Sequence, residues 1–310
     1  MGNGLQVNNI LSTRSMATNG VSSSPEVNQK TGNTPDPRTF ISGEFNFDQE
    51  NSVSHTNPER KNQLRFIAKE SDTISRSDEN QGLPTIINNV AVAYRNMGLY
   101  EEARSLLEYG VKSFYRFCPT NRIELATLMD NLAAVYSDLD MCNQAEKIAK
   151  RSLNIREMEL DPKSAEIAIS YDNLGLIYSQ QGKFKEAKKL YHKALEIFES
   201  SRYPHSIDVA TCLNNLATLL FNNGEIQGAK RHYLRAIAIG RKITTGIVPE
   251  LGIYFNNLAE VHRKEGDLQT AQHLFDLSLS VLKECYGSDH PDTVLVKENL
   301  EGLGVNKDYL

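Results

Sequence analysis

The 310-residue sequence contains no tryptophan and only four cysteines, Cys118, Cys142, Cys212 and Cys285. The cysteines lie far apart, with no Cys-x-x-Cys pair and no paired histidines beside them. This spacing matches neither a metal-binding motif nor the cysteine pattern of a disulfide framework. Free thiols in a reducing compartment fit the pattern better.

The sequence also lacks a membrane span and a secretory leader. No apolar run reaches the roughly 18 residues that a transmembrane helix needs, and the chain does not open with a charged region followed by an apolar one. The formal net charge of −5 lacks the basic excess of a general nucleic-acid binder. We therefore predict a cytoplasmic protein with no transmembrane segment and no nucleic-acid partner.

Compact enzyme motifs are absent as well. The sequence has no G-x-x-x-x-G-K-[ST] loop, no G-x-G-x-x-G opening a helix after a strand, no H-E-x-x-H and no G-x-S-x-G. Its seven histidines are scattered. We predict no catalytic residues, no metal and no cofactor, and hence no enzyme.

Residues 1–57 differ in composition from the rest of the chain. They are rich in Asn, Ser, Thr, Gly and Pro and poor in aliphatic residues, so the segment cannot bury enough apolar surface to offset chain entropy, and we predict that it is disordered. Residues 1–25 contain one arginine, Arg14, and no Asp or Glu. This faint transit-peptide composition leaves import into a mitochondrion or plastid as an alternative location.

The second residue raises the question of a lipid anchor. N-myristoylation requires glycine at this position, and Gly2 provides it. The motif also expects Ser or Thr at position 6, where this chain has Gln6. Myristoylation at Gly2 is therefore an alternative that the broken motif does not favour.

A helical pattern begins at about residue 58. Pro58 suits the first turn of a helix, and Leu64, Ile67 and Ala68 recur at helical spacing. We interpret residues 58–82 as a capping helix with a linker, followed by the main domain over residues 83–303. Residues 304–310 form a C-terminal tail in this division.

The main domain contains an internal repeat. Asparagines stand at intervals of 42 residues in tetrads such as Asp172-Asn173-Leu174-Gly175. The six asparagines are Asn89, Asn131, Asn173, Asn215, Asn257 and Asn299. Six positions in phase, without an insertion, indicate a repeat architecture.

Each unit divides into two helical segments. The first runs for about fourteen residues, such as Ile167 to Gln180, and usually ends at a glycine that fits the left-handed conformation. These glycines are Gly98, Gly182, Gly224 and Gly266. The second segment carries an alanine that allows a close helix crossing, with a large apolar residue four positions later. The alanines are Ala103, Ala145, Ala187, Ala229 and Ala271.

This pattern resembles the tetratricopeptide repeat (TPR). In the third unit the resemblance is carried by Leu174, Gly175, Tyr178, Gly182, Phe184, Ala187, Tyr191 and Ala194. The period of 42 rather than 34 residues and the connector Tyr286 to Asp292 are similar to the kinesin light chain type. The resemblance implies an all-α fold: a right-handed α-solenoid of five full repeats and a terminal helix. Residues 1–82 show no sustained heptads, which puts membership of a motor complex in doubt.

Two features depart from the pattern. In the second unit, Asp140 replaces the glycine at the turn and Cys142 replaces the aromatic residue two places later. The sixth unit stops after its first helix, as expected for a capping element.

The resemblance also implies a binding surface. First helices of such solenoids line a concave face, and in the families resembled an asparagine at the matching place contacts a bound peptide. The predicted groove residues are Asn89, Arg95, Asn131, Asp172, Asn173, Leu176, Asn215, Asn257, Glu260, Arg263 and Lys264. An amide offers a donor and an acceptor to an extended peptide, although the same amide could instead bond within the helix array.

Two functions follow from this reading. The first is an adaptor that binds an extended peptide or a partner helix in its groove. The alternative is a structural subunit, in the cytoplasm or an organelle, that binds through its convex face and ends.

Overall fold

The computed structural model describes residues 83–117, 121–200, 206–243 and 248–304. The predicted disordered segment, the predicted capping helix and most of the C-terminal tail lie outside these residues. Within them the chain forms eleven helices and no strand. The helices are α1 (Leu83–Asn96), α2 (Tyr100–Phe117), α3 (Arg122–Asp138), α4 (Cys142–Glu159), α5 (Ala165–Gln180), α6 (Phe184–Ser200), α7 (Ile207–Asn222), α8 (Ile226–Ile243), α9 (Pro249–Glu265), α10 (Leu268–Tyr286) and α11 (Pro291–Glu301).

Capping residues set the ends of these helices. The Ser164 side chain accepts a hydrogen bond from the Glu166 backbone N–H, so α5 begins two residues before the predicted Ile167. Gly98, Gly182, Gly224 and Gly266 adopt φ between 71° and 83°, as predicted for the turns between paired helices. Asp140 occupies the same place in the second repeat with φ 58°, the only positive φ of a non-glycine residue in the described ranges.

The helices pack in consecutive pairs, α1 with α2 through α9 with α10, and α11 closes the C-terminal end. Each second helix also packs against the first helix of the next repeat. Successive first helices touch one another, whereas successive second helices make at most marginal contacts. First helices therefore crowd the inside of a curved solenoid and second helices form its outside.

The core follows the repeat. The leucines that follow the repeated asparagines are all buried: Leu132, Leu174, Leu216 and Leu258. The predicted crossing alanines of the second helices are fully buried: Ala103, Ala145, Ala187, Ala229 and Ala271. In the third repeat the facing position of the first helix is also small, since a Cβ added at Gly175 would lie 2.9 Å from the Tyr191 ring. One continuous core runs through all the described repeats.

Candidate functional site

The inner wall, defined here as the inward surface of the first helices α1, α3, α5, α7 and α9, is the candidate site. It holds the predicted asparagines on one helical position per repeat. Their exposure differs. Asn89 is exposed and Asn173 is half-buried, whereas Asn131, Asn215 and Asn257 are no more than 2% exposed.

The buried asparagines form a ladder of hydrogen bonds between repeats. The Asn215 amide donates to the Asp172 carboxylate at 3.2 Å, and the Asn257 amide donates to the Asn214 side-chain oxygen Oδ1 at 3.1 Å. Asn131 donates to Asn88 in the same way. Asn299 donates to Asn256 at 3.0 Å, which ties the terminal helix into the ladder. Each bond joins the second residue of one tetrad to the first residue of the preceding tetrad.

The ladder has a clear physical reason. A buried amide without a partner costs about 1–3 kcal/mol, and consecutive first helices lie close enough for their amides to pair. The sequence contained a signal for this pairing, because the two bonded polar residues are always 43 positions apart. Contact of these asparagines with a peptide stays a prediction.

Arg95 and Asp138 form a further link between the first two repeats. The guanidinium binds the carboxylate through Nε to Oδ2 at 2.5 Å and Nη2 to Oδ1 at 3.3 Å. Although burial of Arg95 opposes its charge, Asp138 raises the pKa of the guanidinium above its usual value. Arg95 is thus buried in an ion pair between two repeats, and its contact with a peptide stays a prediction.

The far end of the wall carries the charged residues predicted on α9. Glu260 is buried, which raises the pKa of its carboxyl, while hydrogen bonds from Arg263 at 2.6 and 3.1 Å oppose that rise. Lys264 is exposed, and its Nζ lies 4.8 Å from the centre of the Phe221 ring. Leu176, by contrast, is buried.

A buried ion pair within the second repeat also bonds to a serine of the third. Arg156 of α4 binds Asp130 of α3 at 2.6 Å and donates to the Ser170 hydroxyl of α5 at 2.8 Å. Ser170 in turn donates to Asp130 at 2.9 Å. Sequence reasoning missed this pair, because Arg156 stands where the other repeats have Phe114, Phe198, Gly240 and Leu282, and no motif pairs it with Asp130.

The two ends of the solenoid meet. His290, the N-cap of α11, lies with Nε2 2.8 Å from the Asn96 carbonyl oxygen at the end of α1. The His290 Nδ1 accepts the Asp292 backbone N–H at 3.2 Å, so the Nε2 nitrogen carries the proton and donates to Asn96. A small polar cavity lies at this end contact, lined by Arg95, Asn96, Tyr100, Asp138, Ile253, Tyr286, His290 and Asp292.

Two carboxylates line the cavity, Asp138 and Asp292. Burial raises the pKa of Asp292, and the nearby Asp138 carboxylate adds to that rise, while His290 and Arg95 oppose it. Across the described ranges, no group of three or more His, Cys, Asp or Glu side chains is arranged to hold a metal ion. None of the described helices is long and apolar enough to cross a membrane.

These features define the class of the protein: a helical-repeat solenoid in which 42-residue units stack through one shared core and one polar ladder. Tetratricopeptide repeat models match residues 82–158, 124–200 and 166–242, and a second such model matches residues 253–292. Together they span more than half of the chain, which belongs to the tetratricopeptide repeat family.

Solved structures share this fold. BtubC (BKLC) from P. vanneervenii superimposes with a TM-score of 0.57 at 23% identity, over 74% of this chain and 94% of that one. NprR, crystallised in complex with its cognate peptide NprX, superimposes with a TM-score of 0.62 at 18% identity, over 81% and 70%. The nearly identical TPR-like repeats of a putative Podosopora anserina kinesin light chain give a TM-score of 0.47 at 21% identity, over 64% and 93%. A search of the curated proteins found no match.

The matched tetratricopeptide repeats agree with the sequence pattern. A TPR solenoid is typically a non-enzymatic interaction scaffold. The chain is accordingly a protein-interaction module.

Proposed function

We propose that this protein is a non-catalytic adaptor that holds an extended peptide, or one helix of a partner protein, along its inner wall. Extended concave surfaces are the binding surfaces that helical solenoids use. NprR, a protein of the same fold, was crystallised with a cognate peptide. This likeness in fold supports a peptide as the ligand and does not identify it.

The observation that carries the proposal is the buried ladder. Because Asn131, Asn215 and Asn257 bond to the preceding repeat, they hold successive first helices in one register. A wall with a fixed register presents the same helical face at each repeat, so a peptide in extended form could meet equivalent positions along it. The ladder is then the framework of the site, and more accessible side chains make the contacts.

The candidate contact residues are those that combine an inner-wall position with exposure. Asn173 is half-buried with an amide that can meet a peptide backbone, and Lys264 is exposed near the other end of the wall. Asn215 is a poor choice for a functional test, since its replacement would leave the Asp172 carboxylate without the amide at 3.2 Å. Loss of that bond would lower the stability of the fold, so a loss of peptide binding could not be attributed to a lost peptide contact.

Selection of random twelve-residue peptides on the purified full chain tests the proposal. We expect Asn173→Ala and Lys264→Ala each to weaken the binding of a selected peptide by up to about tenfold, the effect of losing one polar contact. Lys185→Ala, an exposed outer-surface lysine, is the matched control and should bind as the wild type does. Binding that survives both inner-wall changes but depends on the outer surface would favour the structural-subunit alternative.

A further inference from the structure

One face of α1 is exposed, whereas the equivalent faces of the later first helices are buried. Ile86, Val90 and Ala93, spaced at i, i+4 and i+7, lie on this face, which we call the N-terminal face. Ile86 is 57% exposed and Val90 is 39% exposed, and Ala93 is exposed too. Large apolar side chains in a row on one helix normally mark a contact surface.

Later repeats show what this face looks like when it is covered. The residues 42, 84, 126 and 168 positions after Ile86 are Leu128, Ser170, Cys212 and Tyr254, each no more than 1% exposed. The matching residues after Val90 are Leu132, Leu174, Leu216 and Leu258, each no more than 4% exposed. The N-terminal face is therefore the same repeat surface without its cover.

In each later repeat the preceding second helix contacts the position equivalent to Ile86. Arg156 of α4 donates to Ser170, and the Cys212 thiol donates to the Tyr191 carbonyl of α6 at 3.7 Å. Close packing marks the other two junctions: a Cβ added at Gly110 of α2 would lie 3.6 Å from Leu128, and one added at Gly240 of α8 would lie 3.8 Å from Tyr254. A second helix is thus what covers this surface throughout the array.

We propose that residues 58–75 form the second helix of an incomplete repeat and cover the N-terminal face. These residues stand 42 positions before α2 (Tyr100–Phe117). A second small residue, seven positions after the crossing alanine, recurs in every second helix and continues into the segment as Ala68. Its counterparts are Gly110, Ser152, Ala194, Ala236 and Ser278. Leu64 likewise stands 42 positions before the buried Leu106.

Two residues of the segment differ from the repeat pattern, and both differences are expected for a second helix that lacks a first helix to pair with. Lys61 stands where all the other second helices have alanine, and Arg65 stands where Tyr191 packs on Gly175 of its own first helix. Without that first helix these positions would face water, where basic side chains are favourable. Terminal units of solenoids need such a polar outer side.

The length of chain allows this placement. A helix over residues 58–75 leaves residues 76–82 as the connection to Leu83. This connection is similar in length to residues 201–206, which join α6 to α7. The occupant is thus covalently attached beside the surface that it fits. Its high effective concentration favours it over a free partner of similar shape.

Disulfide trapping in the full chain tests the contact. The register places residue 68 against residue 86, as Gly110 lies against Leu128. We expect Ala68→Cys with Ile86→Cys to form a cross-link under mild oxidation, identified by peptide mass spectrometry. Phe66→Cys with Ile86→Cys is the matched control, since Phe66 stands at the outward position of Glu108, Lys150 and Asp276. Equal cross-linking in both pairs, or none in the first, would refute the proposal.

A charge variant provides an independent measurement. Leu64→Asp with Ala68→Asp should lower the unfolding midpoint by about 3 °C or more and speed amide exchange in α1. Phe66→Asp should leave both unchanged. A second copy of the chain is the competing occupant: ultracentrifugation would then show a dimer that Ile86→Asp dissociates, with no effect of the Leu64 and Ala68 changes, and that result overturns the proposal.

Discussion

Single residues decide how well each repeat fits the common pattern. Asp140 shows the cost of a departure most clearly, because it holds φ 58° where four other repeats have glycine. The left-handed conformation brings Cβ too close to the backbone and costs an ordinary residue roughly 1–2 kcal/mol. Asp is among the residues that tolerate it best, which reduces the cost here.

We predict that Asp140→Gly raises the free energy of unfolding by up to about 1 kcal/mol, since glycine removes the strain but adds chain entropy to the unfolded state. The reciprocal change Gly182→Asp should lower it by a similar amount. No atom lies within 4 Å of a Cβ added at Gly182, so its cost is one of backbone conformation alone. Urea unfolding of both variants checks the pair. Changes of the same sign in the two variants would contradict the explanation.

At the scale of the helices, the repeats are joined by polar contacts as well as by the shared core. Glu146 of α4 is one junction with the third repeat: it accepts hydrogen bonds from Lys150 at 2.6 Å and from Lys183, just after α5, at 3.0 Å. Burial alone would raise the pKa of Glu146, but the hydrogen bonds from Lys150, Lys183 and Gln181 outweigh it and lower the pKa to about 2.

The direction of this shift gives a pH prediction. A carboxyl whose pKa is lower in the folded state stabilises the fold above its unfolded pKa, about 4.3, and this contribution is lost as pH falls towards 2. Glu146→Gln should therefore be less stable than the wild type at pH 7, by roughly 1 kcal/mol. The difference should shrink between about pH 5 and pH 3 in denaturant titrations. Glu196→Gln, at an exposed position of α6, is the control, and a pH-independent difference for Glu146→Gln would count against the assignment.

At the scale of the whole molecule, the most important contact joins the two ends of the described solenoid. The bond from His290 to the Asn96 carbonyl joins residues 194 positions apart and brings the end of α1 to the start of α11. Pro291 also lies against Gly98, where an added Cβ would be 3.6 Å from its ring. The contact bounds one side of the inner wall, so a partner that enters from that side must separate the ends.

We predict that His290→Asn loosens this contact without uncapping α11. Asparagine is a good N-cap residue, but its side chain is too short to replace the imidazole that reaches Asn96. Small-angle X-ray scattering should show a larger radius of gyration, and amide exchange around residues 96–100 should become faster. His273→Asn, at an exposed position of α10, should change neither quantity. An unchanged radius and unchanged exchange in His290→Asn would show that apolar packing alone holds the ends together.

The sequence by itself determined the repeat: the period of 42 residues, the paired helices, the glycine at four of the five turns and the leucines of the core. These features are local, since a helix reports its buried face through spacing and its end through a residue that tolerates positive φ. Tertiary structure decided how the polar residues are used. The amides of Asn215 and Asn257 pair with the preceding repeat, and Arg156 meets Asp130, because such partners depend on how neighbouring helices are rotated and spaced. Contact between His290 and Asn96 depends on curvature summed over five repeats, which no window of the sequence contains.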